Sequence, residues 1–313
     1  MTRHVVATER LRALAQLAQA VAQAQEMDEL FQRTLDELQR GFGLTHVFIL
    51  LHEQARERLF TVASRGYEQS GVGAEVKVGV GTIGVVARSL RPLRSGNLRM
   101  QLGYARTVRQ QVARAGQDVG PEIPLPGLSS PGSQLVVPLV SHRVLVGVLC
   151  VESPELSAFD DELEAALVTA AALLAAALEH ARLRGVHDRD EPASDRATVT
   201  KVGPKLVVRH YVEDDSVFVN DAYIIKGVAG RILFKLLVAY RDEGRTQFGN
   251  RQLRLDSELE LSPLRDNLES RLLMLRRRLE DKACGVSIVS TGRGRFALGV
   301  EGQLAIESIS AGP

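Results

Sequence analysis

The chain has 313 residues, of which 45% are hydrophobic and 25% are charged, and its formal net charge is +1. This length predicts two domains, and the composition excludes a wholly disordered or fibrous chain. The only two cysteines, Cys150 and Cys284, lie too far apart in sequence to suggest a disulfide framework or a zinc site. The net charge does not decide for or against DNA binding, because only a local basic face is needed to neutralise phosphates.

The chain shows no pattern typical of secretion or of membrane insertion. Arg10 and Arg12 interrupt the only apolar run near the N-terminus, so a secretory signal is not expected. The most apolar long segment, Leu163–Leu183, includes polar residues such as Glu164 and Glu179, which make it a poor membrane span. We therefore expect a cytoplasmic protein without membrane association, in which this segment is a core or dimer-forming helix.

The N-terminal part alternates helical and strand patterns in an α+β order. Apolar residues spaced three and four apart predict amphipathic helices over residues 11–21 and 30–38, and a long helix over 157–183. Alternating apolar residues predict strands, and the Gly-, Pro- and Ser-rich stretch 117–134 predicts a surface loop. The predicted strands are Val47–Leu51, Leu59–Ala63, Glu75–Val80, Gln134–Val140 and Val144–Glu152.

Three glycines admit two interpretations. Gly79, Gly81 and Gly84 have the G-x-G-x-x-G spacing that can place a pyrophosphate at a helix N-terminus. A dinucleotide site also needs a second parallel strand and an acidic residue about 20 residues further on, and the segment 91–103 offers neither. We favour a turn that leads from a strand into a short helix.

The N-terminal part resembles a GAF domain over roughly residues 10–184. The resemblance rests on the order of several short motifs: Gly66-Tyr67, Gly79 to Gly84, Arg91-Pro92-Leu93, Leu135 to Leu139, Val146 to Val151, and Phe159-Asp160. It implies an antiparallel sheet flanked by helices and a place for a small-molecule ligand on the sheet. The candidate pocket residues are Ile83, Val86, Leu98, Tyr104, Ser133, Leu135, Val137 and Cys150.

The resemblance does not identify a ligand, and the cofactor is unknown. The cysteine needed for covalent bilin attachment has no counterpart between Arg88 and Tyr104, and the several cysteines of GAF-type methionine sulfoxide reductases are absent. We predict no metal site. No nucleophile, base and orienting group come together in either half of the sequence, so we predict that the protein is not an enzyme.

The polar, charged stretch after Gly185 has no apolar periodicity and is typical of an interdomain linker. It predicts a GAF-type sensory domain over residues 1–184, a linker over 185–203 and a second domain over 204–313. After the linker come short strands, three helical patterns and a closing hairpin with Arg293 and Arg295 at its tip.

The last helical pattern has a buried stripe of leucines at positions 268, 272, 275 and 279, and its other face is polar and basic. A basic helix followed by a basic hairpin resembles the winged helix-turn-helix domain of OmpR-type regulators, which binds double-stranded DNA. Asp266 and Glu269 depart from a basic interface because they place negative charge at the helix start. The DNA-binding residues that the resemblance implies are Asn267, Ser270, Arg271, Met274, Arg277, Arg278, Arg293 and Arg295.

The two resemblances together predict a signal-responsive transcription regulator. In this hypothesis the GAF domain senses a small molecule or a partner, and the winged helix binds operator DNA. The alternative is a signalling adaptor with a constitutively dimeric GAF domain and a protein-binding winged helix. In either case we expect a homodimer formed by the N-terminal helix and the Ala-rich helix that ends near Leu183.

Overall fold

The computed structural model describes residues 2–98, 123–187, 205–259, 261, 268–292 and 294–310. It divides into two compact units, Met1–Ala181 and Arg182–Pro313.

The N-terminal unit is a mixed α+β fold built on a six-stranded sheet. The strand order is β3-β2-β1-β6-β5-β4, and every neighbouring pair is antiparallel. The described elements are α1 (Thr2–Gln23), α2 (Met27–Phe42), β1 (His46–Glu53), β2 (Arg58–Arg65), β3 (Glu75–Lys77), α3 (Gly81–Ser89), β4 (Leu93–Ser95), β5 (Ser133–Ser141), β6 (Val144–Ser153) and α4 (Asp161–His187).

The central strands β1, β6 and β5 are buried along most of their length, which explains why their sequences read as nearly continuous apolar runs. Helix α2 has a polar face and an apolar face, and it ends at Gly43, whose φ of 69° closes the helix in the left-handed conformation. The helices and strands predicted for this unit are confirmed, with boundaries that differ by a few residues except in α1, which begins at Thr2 rather than near residue 11.

The glycine-rich segment is a turn between a strand and a helix, as predicted. Gly79 and Gly81 have φ values of 87° and 63°, which residues with a side chain rarely adopt. A Cβ at Gly84 would lie 2.4 Å from the backbone oxygen of Lys77. Strand β3 pairs antiparallel with β2 rather than forming a parallel unit, so the glycines shape the entry into α3.

Helix α4 buries one face, which includes Leu163, Leu167 and Leu174. The other face carries alanines together with Val168 and Leu183, both of which are exposed. Within the described residues, Asp161–Leu183 is the one helical stretch long and apolar enough to cross a membrane by length and composition alone. A core helix of a folded domain meets the same criterion.

The C-terminal unit has two sheets and three α-helices among its described residues. The larger sheet has the order β13-β7-β8-β9, and the smaller has the order β10-β12-β11. The elements are β7 (Lys205–Tyr211), β8 (Ser216–Val219), β9 (Ala222–Ile225), α5 (Gly227–Glu243), β10 (Gln247–Gly249), α6 (Asn250–Leu255), α7 (Leu268–Lys282), β11 (Val286–Gly292), β12 (Arg295–Val300) and β13 (Gln303–Ile309).

Strand β13 was not expected from the sequence. It follows β12 after two residues and leaves the hairpin to pair in parallel with β7 along seven residues, from Gln303 opposite Lys205 to Ile309 opposite Tyr211. Local sequence patterns do not reveal a parallel pairing between strands about a hundred residues apart. The first strand of this unit and its last described strand therefore lie side by side.

Candidate functional site

One face of the N-terminal sheet is an apolar surface covered by α3. Phe48, Cys150 and Val136 stand directly opposite one another on β1, β6 and β5 and form a cross-strand row. Ile83 and Val86 of α3 belong to the same buried cluster. The Cys150 thiol is completely buried, which raises its pKa well above the ordinary value.

The next row along the same three strands is polar. His46, Glu152 and Gln134 are direct cross-strand neighbours, and Glu152 and Gln134 are both buried. The Glu152 carboxylate accepts hydrogen bonds from Gln134 Nε2 at 3.0 Å and from the backbone N–H of Leu128 at 3.0 Å. The ring of Tyr67 lies edge-on to His46, with the ring centroids 5.5 Å apart. The polar row therefore marks one end of the apolar surface.

Tyr67 joins the polar row to the apolar row. Its ring packs edge-on against Phe48, with the centroids 5.7 Å apart. Its hydroxyl is buried beside the Glu152 carboxylate, with which it interacts by hydrogen bonding. Burial, and to a lesser extent the nearby Cys150 and Glu152, raise the pKa of Tyr67. We name these seven residues the Glu152 site: His46, Phe48, Tyr67, Gln134, Val136, Cys150 and Glu152.

Burial raises the pKa of Glu152, and the hydrogen bonds from Leu128, Gln134 and Tyr67, together with the nearby His46, offset part of this effect. Among the ion pairs formed by described residues, none includes Glu152. The carboxylate is therefore held mainly by neutral hydrogen-bond donors.

The structure brings together three of the predicted pocket residues, Ile83, Val86 and Cys150. Leu135 and Val137 alternate with Val136 along β5 and therefore lie on the opposite side of the sheet from this cluster, so their place in a pocket stays a prediction.

Two further predicted pocket residues, Ser133 and Leu98, are buried, and their hydrogen bonds go to the backbone of neighbouring loops. The Ser133 hydroxyl donates to the backbone oxygen of Glu155 and accepts from the backbone N–H of Ala158. The Leu98 N–H donates to the backbone oxygen of Gly132. Tyr104 lies outside the described residues.

The polar residues of the site were not predicted from the sequence. Gln134 and Glu152 differ from Val136 and Cys150 by two positions on the same strands, so the alternation of strand faces would have placed all four together. Tyr67 was noted only as part of a motif. A search for metal-binding groups of His, Cys, Asp and Glu finds none among the described residues.

The C-terminal unit confirms the buried leucine stripe of α7 but not its predicted exposed face. Ser270, Arg271, Met274 and Arg278 are all buried, so the prediction that they form an exposed groove-facing surface is wrong. The reason is that α7 packs against α5, α6, β9 and β11. In addition, Arg278 Nε donates to the backbone oxygen of Ile224 in β9 at 2.9 Å.

The other predicted DNA-binding residues have different outcomes. Arg277 on α7 and Arg295 at the start of β12 are partly exposed, whereas Asn267 and Arg293 lie outside the described residues. Glu269 at the start of α7 accepts from Arg254 Nη2 of α6 at 2.5 and 2.7 Å. The negative charge that seemed unfavourable beside DNA is therefore neutralised by the preceding helix.

Residues 24–179 match the family model of the GAF domain. No curated protein sequence matches the chain. Solved structures similar to the chain include GAF domains of phosphoenolpyruvate-protein phosphotransferases. The domain from Coxiella burnetii has 23% identity and a TM-score of 0.46, covering 57% of this chain and 98% of that one. The domain from Acinetobacter has 21% identity and a TM-score of 0.45, covering 57% of this chain and 97% of that one.

A free methionine-R-sulfoxide reductase from Neisseria meningitidis, solved with its substrate, is also similar. It has 21% identity and a TM-score of 0.44, and the match covers 57% of this chain and 93% of that one.

Changing Glu152 to Gln should alter how stability depends on pH. A carboxyl whose pKa is higher in the folded than in the unfolded state favours folding at low pH, and this contribution is lost as pH rises from about 4.3 through the raised pKa. The free energy of unfolding of the wild type, measured by urea denaturation, should therefore fall relative to that of Glu152→Gln across this window. Glu155→Gln, at an exposed position nearby, is the control and should follow the wild type. A constant difference between wild type and Glu152→Gln at every pH would contradict the burial effect.

Proposed function

We propose that the chain is a cytoplasmic, signal-responsive regulator whose N-terminal unit, which matches the GAF family model over residues 24–179, binds a small molecule at the Glu152 site. The observation that supports the proposal is a row of buried polar side chains, Glu152, Gln134 and Tyr67, beside an apolar row on one face of the sheet.

The proposal is for binding rather than catalysis. Cys150 is the nucleophilic side chain of the site, but it is completely buried and its pKa is raised, so its thiolate is scarce. The apolar row beside the polar row suits a ligand with an apolar body and one polar end, which is the usual composition of a small-molecule pocket.

Natively purified protein should carry a small molecule that depends on Tyr67. Native mass spectrometry should show an added mass on the wild type, and Tyr67→Phe should lower its occupancy because only the hydroxyl is removed. The variant should fold, since it keeps the ring that packs against His46 and Phe48. Tyr211→Phe, in the C-terminal unit, is the matched control and should retain the molecule. An added mass that is absent even after incubation with cell extract, or that Tyr67→Phe leaves unchanged, would exclude this site.

For the C-terminal unit we propose DNA binding through a winged helix. The order of its elements supports this: antiparallel strands, α5, β10, α6 and α7, then the β11–β12 hairpin in one sheet with β10. The contact between α7 and β11 puts the helix beside the hairpin. With Ser270, Arg271, Met274 and Arg278 buried, the proposed phosphate contacts are Arg277 and Arg295.

Arg277→Ala and Arg295→Ala should each weaken binding to duplex DNA and lower the slope of log affinity against log salt by about one. Fluorescence anisotropy over a salt series measures both effects. Arg241→Ala, an exposed arginine paired with Asp242, is the control and should bind as the wild type does. If DNA affinity is absent or independent of salt, the adaptor with a protein-binding C-terminal unit becomes the better account.

We also propose that the chain is a homodimer through α1 and α4. The supporting observation is that the exposed side of α4 between Glu164 and Glu179 carries alanines and Val168, which is 40% exposed, and no charged residue. Light scattering at micromolar concentration should give twice the chain mass of 34.2 kDa. Val168→Asp should give the monomer, whereas the control Val289→Asp, at an exposed position of β11, should not. A wild-type monomer would refute the dimer.

A further inference from the structure

Strand β13 forms the longest open strand edge in the part of the chain that the structure describes. It lies at the end of its sheet, has seven residues, and pairs only with β7. The end strands β3, β4 and β10 have three residues each, and β9 has four. The end strand β11 also has seven residues, but α7 packs against it and Arg276 Nε donates to the backbone oxygen of Ile288 at 3.1 Å.

Proteins usually protect a long strand edge with lysine, proline or a bulge. Strand β13 has no proline and no lysine, its one charged residue is Glu307, and its register with β7 is continuous. The edge is therefore suited to pairing with a further strand.

The backbone groups on the open side of β13 follow from one hydrogen bond. The Ile309 oxygen accepts from the Val212 N–H at 3.1 Å, so the backbone polar groups of Ile309 face β7. Neighbouring residues of a strand direct these groups to opposite sides, so those of Leu304, Ile306 and Ser308 face away from β7. Each of these three residues offers a donor and an acceptor to a further strand.

The side chains at this edge are partly apolar. Leu304 and Ile306 stand beside Leu206 and Val208 of β7. The two residues of β7 are buried, whereas Leu304 and Ile306 are only partly buried. A strand beside β13 would remove both aliphatic side chains from water, which favours pairing.

We propose that β13 pairs with β13 of a second copy of this chain, antiparallel and about a two-fold axis at Ile306. Ile306 then faces the partner's Ile306, and Leu304 faces the partner's Ser308, so all three outward residues form backbone hydrogen bonds across the axis. Glu307 faces the partner's Ala305, whereas an axis one residue further on would place two Glu307 carboxylates opposite each other. A contact with this symmetry is complete with two copies.

A pair of seven-residue strands is a small contact. The inference therefore rests on the proposed dimer through α1 and α4, which tethers two C-terminal units and raises their effective concentration. The strand contact adds a defined pairing of these two units, which are the part of the chain proposed to bind DNA.

The change Ile306→Cys in the full chain tests this register. In the proposed pair the two Cα atoms of residue 306 lie about 5.5 Å apart, within the range of a disulfide. Under mild oxidation the variant should form a covalent dimer about 100-fold faster than by chance collision, because paired thiols meet at millimolar rather than micromolar concentration. Non-reducing gel electrophoresis over time measures the rate.

Ser308→Cys is the matched control. Ser308 is more exposed than Ile306, so chance collision would favour its cross-link. In the proposed register, however, two copies of residue 308 lie roughly 14 Å apart, too far for a disulfide. The wild type, with Cys150 and Cys284, gives the background rate. Cross-linking of Ser308→Cys as fast as that of Ile306→Cys would overturn the inference.

Amide hydrogen exchange, read by NMR, gives a second test without a substitution in β13. The Ile306 amide should be protected in the wild-type dimer and lose its protection in Val168→Asp, because its partner is the second copy. The Ala305 amide faces β7 and should be protected in both proteins. Equal exchange of the Ile306 amide in the two proteins would contradict the strand contact.

The strand contact and the helical dimer fail in different ways. A dimer by light scattering that does not cross-link through Ile306→Cys would overturn the inference and leave the dimer through α1 and α4 intact. A chain that scatters as a monomer and still cross-links rapidly through Ile306→Cys would refute the helical dimer and support the strand contact. A monomer that does not cross-link would refute both.

Discussion

The N-terminal unit depends on one buried carboxylate. Glu152 accepts from Gln134 on the neighbouring strand and from the backbone of Leu128, so a single side chain links β6, β5 and the segment that leads into β5. Removing a carboxylate from water is unfavourable, and its neutral donors compensate this only in part, as the raised pKa indicates. This group marks the polar end of the sheet face that we propose as the binding site.

The proposed binding face has two rows with different chemistry. An apolar row provides contact area with little selectivity, whereas a polar row can select by charge and hydrogen bonding. Tyr67 touches both rows, because its ring packs on Phe48 and its hydroxyl lies at the polar end.

In the C-terminal unit an ion pair joins two helices. Arg254 of α6 neutralises Glu269 of α7 and so links the two.

The sequence predicted where helices and strands lie better than it predicted which of their side chains face the core. The helices and strands followed from apolar spacing, and the glycines at 79–84 followed from the conformations that a strand-to-helix turn requires. The run of β5 is apolar at nearly every position, so it does not reveal which alternate residues face α3, and Leu135 and Val137 were chosen in place of Gln134 and Val136. For α7, the leucine stripe predicted one buried face, but the helix has neighbours on several sides and buries Arg271 and Met274 as well. Such long-range packing leaves no local periodicity to detect.

Hydrogen–deuterium exchange with and without a small-molecule cell extract tests most directly whether the ligand binds on this face of the sheet. The account predicts slower exchange in α3 and around the Leu128 amide, which lie on or beside the Glu152 site, and little change in α2. The same experiment on Glu152→Gln should show no such slowing. Slower exchange confined to the helices α1 and α2, or the same slowing in Glu152→Gln as in the wild type, would contradict the assignment of the binding site.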